Sequence, residues 1–151
     1  MSVVSLTGAD VALINDRIIS DLADGDCITL DFPNELASLK TGKNGNTIYA
    51  FNQTGKQATM TMRVMRGSAD DKFLNNLLVS QDSNFSGFVL MSAEFIKKIG
   101  DGAGAVSNDT YIMSGGIFTK RVNAKNNVEG DTEQSVSIYE IMFANSPRAL
   151  T

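Results

Sequence analysis

The chain has 151 residues, 17 acidic and 13 basic side chains, and a formal net charge of −4, enough for one domain with a real core. That acidity argues against stable non-specific binding to nucleic acid, which depends on Lys and Arg displacing counterions from phosphates. Histidine is absent, so the commonest general base and the commonest zinc ligand are both missing. The lone Cys27 has no internal disulfide partner and reads as a small buried structural thiol.

The N-terminal stretch MSVVSLTGADVALIND lacks a basic region and is interrupted by Asp10 and Asp16, so it does not read as a signal peptide, and folding in the cytoplasm is the expectation. In VALINDRII, apolar pairs flank Asn15-Asp16, the pattern of a hairpin. ADGD, from Ala23 to Asp26, forms a second turn and opens CITLDF, where Ile28, Leu30 and Phe32 share one face and Thr29 and Asp31 the other. Pro33 ends that strand because it has no N–H for the ladder. LKTGKNGNT, Leu39 to Thr47, reads as a mobile loop before the strand TIYAFNQ, and TGK at 54–56 as a tight hairpin turn. In QATMTMRVM, Ala58, Met60, Met62 and Val64 face one way and Thr59, Thr61 and Arg63 the other.

At Gly67-Ser68 the period changes from two to about four. Ser68 is a good N-cap, Asp71 three residues later completes a capping-box-like pair, and Asp70 and Asp71 suit the positive helix end. Phe73, Leu74, Leu77 and Leu78 make one apolar stripe, so a helix is predicted over about residues 69–80. Phe73, Leu77 and Leu78 should cover Ala58, Met60, Met62 and Val64, with the methionines in the core. SGFVLMSAEFI, TYIMSGGIFTKRV and the closing SVSIYEIMFA read as strands, separated by the loops GDGAGAVSND and NAKNNVEGDTEQ. Seven or more strands, one helix and no βαβ alternation predict a single mainly β domain over 1–151, an antiparallel β-sandwich or barrel with one packed α-helix. No stretch approaches the roughly 18 apolar residues of a membrane span.

No motif points to catalysis, a metal or a cofactor. Asp21, Asp24 and Asp26 lack EF-hand spacing, and Glu129, Asp131 and Glu133 read as a polar loop entering a strand rather than a cation site. GDGAGAVS lacks the dinucleotide fingerprint with its following helix, TGKNGNT lacks Walker spacing, and no strained-turn signature marks a nucleophile. The sequons at Asn52, Asn84 and Asn108 carry no weight without a secretory signal.

Three stretches, IISDLADGDCITLDF, NQTGKQATMTMRVMRGSADDKFLNNLL and SVSIYEIMFA, resemble phage tail tube proteins of the contractile-tail type. They match, in order, an early strand–turn–strand segment, a central strand with a short capped helix, and a closing strand, over about a third of the chain. The resemblance implies a structural protein rather than an enzyme. Its subunits would form hexameric rings stacked into a hollow tube that conducts DNA without binding it specifically, in the virion tail, assembled in the host cytoplasm. Sheath, baseplate and tape-measure proteins would be partners. Related tubes occur in bacteriocins and type VI secretion, where the cargo differs.

On that expectation Thr59, Thr61 and Arg63 are candidates for the lumen or a subunit interface. Lys40, Thr41, Gly42, Lys43, Asn44, Gly45 and Asn46 are a candidate inter-ring loop that orders on assembly. A monomeric β-barrel binding a ligand or glycan is the rival; the lack of tryptophan and the scattered aromatics count against it. A hydrolase using carboxylates stands third.

Overall fold

The computed structural model describes residues 4–126, 128, 130 and 132–151; Glu129 and Asp131 of the acidic triplet lie outside them. The first hairpin joins β1 (Val11–Ile14) to β2 (Arg17–Ile18). Asn15 and Asp16 both take positive φ, 50° and 66°, as a two-residue type I′ turn requires. There follow β3 (Ile28–Asp31), β4 (Ala37–Thr41), β5 (Thr47–Phe51) and β6 (Ala58–Met65), then α1 (Ala69–Ser83). The chain continues with β7 (Met91–Gly100), β8 (Val106–Phe118), β9 (Val136–Asn145) and β10 (Arg148–Leu150).

Eight strands form one antiparallel sheet in the order β2-β1-β7-β8-β9-β6-β3, with β10 added beside β8. The fold is mainly β with one α-helix, as the strand count predicts, but the sheet does not close into a barrel. The segment after β2 is hydrogen-bonded to both halves of the sheet. The Ile19 amide donates to Ala12 in β1, while the Ala23 amide donates to Arg63 and the Met65 amide to Asp21 on the β6 side. Side chains from both halves therefore meet in one core: Ile14 and Ile19 with Met60, Met62, Val64, Met91, Met113, Tyr139, Ile141 and Phe143. The β7–β8 register shifts between the Met91–Gly116 and Ala93–Met113 pairs. Gly115 has φ +67°, and a Cβ on Gly116 would lie 2.5 Å from the Phe143 ring, so only a bare backbone fits there.

α1 covers β6 and β8. Ser68 caps it by accepting from the Asp71 amide at 3.2 Å. Asp71 reciprocates one residue outside the usual capping box, accepting from the Gly67 amide at 2.8 Å. The same carboxylate accepts from the Tyr139 hydroxyl at 2.5 Å and from the Ser137 hydroxyl at 3.2 Å, which ties the cap to β9. Burial first, then the Asp71 carboxylate, pushes the Tyr139 phenol well above its ordinary value. At the other end Gln81 exchanges two hydrogen bonds with the Phe118 backbone. The helix runs to Ser83, three residues beyond the predicted end, and those bonds hold its last turn against β8. Leu74, fully buried, is its central contact, whereas Phe73, Leu77 and Leu78 pack on the core only partly buried.

Asp70 does more than complement the helix dipole. Its nearly buried carboxylate accepts from the Ser20 and Asp21 amides, both at 2.8 Å, and from Arg17 Nε at 3.2 Å. Burial alone would raise its pKa, but the two amides and the guanidinium hold it below the ordinary carboxylate value.

Several sequence boundaries are corrected. Residues 53–56 form a 3₁₀ turn rather than a hairpin turn, because β5 pairs only with β4 while β6 joins the large sheet. β7 begins at Met91 rather than Ser86, and β8 begins at Val106, inside the expected glycine-rich loop, where it pairs with Gly100. β9 is not the last strand: the chain turns at Ser146-Pro147 and β10 pairs with β8. Cys27 is only half-buried.

Candidate assembly surfaces

Burial of Ala58, Met60, Met62 and Val64 turns Thr59, Thr61 and Arg63 to the opposite face of β6, where all three are half-buried. Strand register extends that face: Thr29 and Asp31 lie beside Thr61 and Thr59, and Ile138, Glu140 and Met142 beside Arg63, Thr61 and Thr59. Arg63 donates to Glu133 at 2.6 Å. That bond first, with the neighbouring Asp24 and Asp26, keeps the guanidinium protonated above its ordinary value. Glu140 accepts from the Thr119 hydroxyl at 3.0 Å and pairs with Lys120 at 3.4 Å. The basic groups of this face are thus matched by carboxylates, leaving a polar, non-basic surface interrupted by Ile138 and Met142.

The candidate inter-ring segment takes a different form from the loop expected. Lys40 and Thr41 belong to β4, and Gly42, Lys43, Asn44, Gly45 and Asn46 make a tight turn between β4 and β5. The Gly42 amide donates to Asn46 O at 2.8 Å, the Gly45 amide donates to Gly42 O at 3.0 Å, and Gly45 has φ +86°. The segment forms the tip of a two-stranded arm rather than a long loop.

Every residue of both arm strands is exposed. Register places Leu39 opposite Tyr49 and Ala37 opposite Phe51, so Ala37, Leu39, Tyr49 and Phe51 share one face. Leu39 is 63% exposed, Tyr49 78% and Phe51 58%. The other face carries Ser38, Lys40, Ile48 and Ala50. The alternation of ASLKT and the apolar run of TIYAF were the available sequence signals, obscured by the Lys, Gly and Asn residues between them. Gly55 fixes the root of the arm: a Cβ there would lie 2.5 Å from the Leu36 Cα.

Next to that root is an open groove of about 490 Å³ whose walls include Phe32, Leu36, Tyr111 and Pro147. Phe32 and Tyr111 have ring centroids 6.3 Å apart, and Arg148 lies over Tyr111 while held by Asp109 at 2.6 and 2.8 Å. Among the described residues no group of His, Cys, Asp or Glu could hold a metal ion, and no helix is long and apolar enough to cross a membrane. Asp70 and Asp71, the most enclosed carboxylates of the helix start, are taken up by structural hydrogen bonds.

No protein-family model matches this chain, and no curated protein does.

Proposed function

We propose that this protein is a structural subunit of a hollow tail tube, built from stacked hexameric rings and located in a phage virion. The observation that carries the proposal is the β4–β5 arm. An isolated two-stranded hairpin is marginally stable in water, and this one leaves Leu39, Ile48, Tyr49 and Phe51 exposed. Such a feature is suited to burial against another subunit. A head-to-tail contact made by a projecting arm is heterologous, so it generates rings where the rotation closes and stacks where ring faces match.

Two further features support the same function. The large sheet is open, and its margins β2 and β3 are available for pairing between subunits, which would remove edges that otherwise aggregate. The face carrying Thr59, Thr61 and Arg63 has its basic groups neutralised by carboxylates, and a wall without free basic clusters would let DNA slide past rather than retain it. In this proposal that face lines the lumen or meets the next subunit. Sheath, baseplate and tape-measure proteins are the accompanying partners.

The test replaces residues 37–51 with a short Gly-Ser linker. Because the arm forms a sheet of its own, the eight-stranded body should keep its circular dichroism spectrum and melt cooperatively while making no tubes in the electron microscope. Normal tubes from that variant would refute the proposal.

A further inference from the structure

Charge is segregated along the part of the chain that holds β3 and the arm. Residues 21–35 include Asp21, Asp24, Asp26, Asp31 and Glu35 and no Lys or Arg, whereas residues 36–69 include Lys40, Lys43, Lys56, Arg63 and Arg66 and no Asp or Glu. β3 ends the large sheet, so among the described residues one of its edges has no strand beside it. Asp24, Asp26 and Asp31 beside that edge are exposed, as are Lys40 and Lys43 on the arm. Among the described residues, none of these five makes an ion pair within the chain.

We propose that the outer edge of β4 pairs with the free edge of β3 in a second copy of this chain, adding the arm to that copy's sheet. This inference rests on the self-assembling function proposed above and names the surface that receives the arm. Strand addition satisfies unpaired backbone groups on both partners, and here the two faces match as well. The arm's apolar face, Leu39, Tyr49 and Phe51, continues the β3 face of Ile28, Leu30 and Phe32, while Lys40 falls on the side of Thr29 and Asp31. A one-residue slip would reverse both matches.

Among the described residues every strand pair is antiparallel. The same orientation carries the arm tip, with Lys43, toward Asp24 and Asp26, and the Phe51 end toward Phe32 and the groove beside Tyr111. The lengths agree: the seven residues from Asp26 to Phe32 span about 23 Å when extended, and the five-residue arm strands about 17 Å with the Lys43 turn beyond. The docked arm thus sets its basic tip on an acidic margin and its apolar root on an apolar groove. Charge complementarity of this kind selects a second copy of an acidic chain as the occupant.

The test compares the full chain with K40E/K43E, D24K/D26K and the fourfold combination, by sedimentation velocity over a range of concentration. All four substituted residues are exposed, so each variant should keep the wild-type circular dichroism spectrum and melt cooperatively. Each double reversal should raise the concentration for half-assembly by at least about tenfold, since like charges then face each other, and the fourfold variant should recover most of the loss. Raising salt from 0.1 to 1 M should weaken wild-type assembly, as the Debye length falls from about 10 Å to about 3 Å.

A K43C variant should give intermolecular cross-links to the native Cys27 with a short bis-maleimide, and K43C/C27S should not. If the wild type assembles but is indifferent to both reversals, or K43C gives no cross-link to Cys27, the arm-to-β3 contact is wrong while the tube function stands. A wild type that stays monomeric at every concentration overturns both. Loss of assembly in K40E/K43E alone, together with arm-dependent retention on double-stranded DNA, would make nucleic acid the occupant and overturn the inference.

Discussion

Leu74→Ala isolates the packing that holds α1 on the sheet. Leu74 is 0% exposed and belongs to the main core cluster. Ala and Leu differ little in helix propensity, so the loss measures burial rather than helix formation. Truncating a buried leucine costs about 2–5 kcal/mol, rising with the cavity left behind. The helix is held at both ends, by Asp70 and Asp71 at its start and Gln81 near its finish, so it cannot settle into the space. A loss of about 3–4 kcal/mol is expected. At about 2–4 °C per kcal/mol for a chain of this size, the melting temperature should fall by roughly 10 °C. Urea unfolding followed by far-UV circular dichroism suits a protein without tryptophan. Leu77→Ala, at a half-buried site, should lose clearly less. If Leu74→Ala costs under about 1 kcal/mol, or Leu77→Ala costs more than Leu74→Ala, then the helix is not pinned where the core places it.

Three further outcomes are expected. Gly116→Ala should destabilise by about 1–3 kcal/mol through the clash with Phe143, and adding Phe143→Leu should return part of that loss in the same urea titration. Asp70→Asn should cost about 1–3 kcal/mol near neutral pH, because a neutral amide serves the Ser20 and Asp21 amides and Arg17 less well. The folded carboxyl has a lowered pKa, so its contribution is present above the unfolded value of about 3.9 and fades as pH falls through the folded value. The gap between wild type and Asp70→Asn should therefore be full at pH 6 and shrink below about pH 4; a gap that widens in acid would contradict the assigned bonds. Asp71→Ala should remove the shared anchor of Gly67, Ser137 and Tyr139 and cost more than Ser68→Ala, whose cap alone is worth about 1 kcal/mol, as equilibrium unfolding of the two variants would reveal.

The strand and helix on either side of Gly67-Ser68 were legible because burial imposes a period on each: two in β6, about four in α1. The first hairpin was legible because Asn15-Asp16 supplies two residues tolerant of positive φ. The arm was harder to read, since neither face is covered within the chain and Lys40 and Thr41 join a strand from a stretch rich in loop formers. β10, only three residues long, carries no period and exists through its pairing with β8. Asp70 looked like a helix-end charge because its partners, Ser20 and Asp21, lie about fifty positions away. Of the candidate surfaces, the Thr59, Thr61 and Arg63 face followed from alternation, whereas its neutralisation by Glu133 depends on a 3₁₀ turn seventy residues downstream. Closure into a barrel failed as an expectation because strand count does not fix whether the terminal strands meet.

Electron microscopy of the purified chain at rising concentration tests the proposed tube function most directly. Stacked rings with an open centre and sixfold class averages are the predicted result. Small featureless particles at every concentration and salt would contradict it.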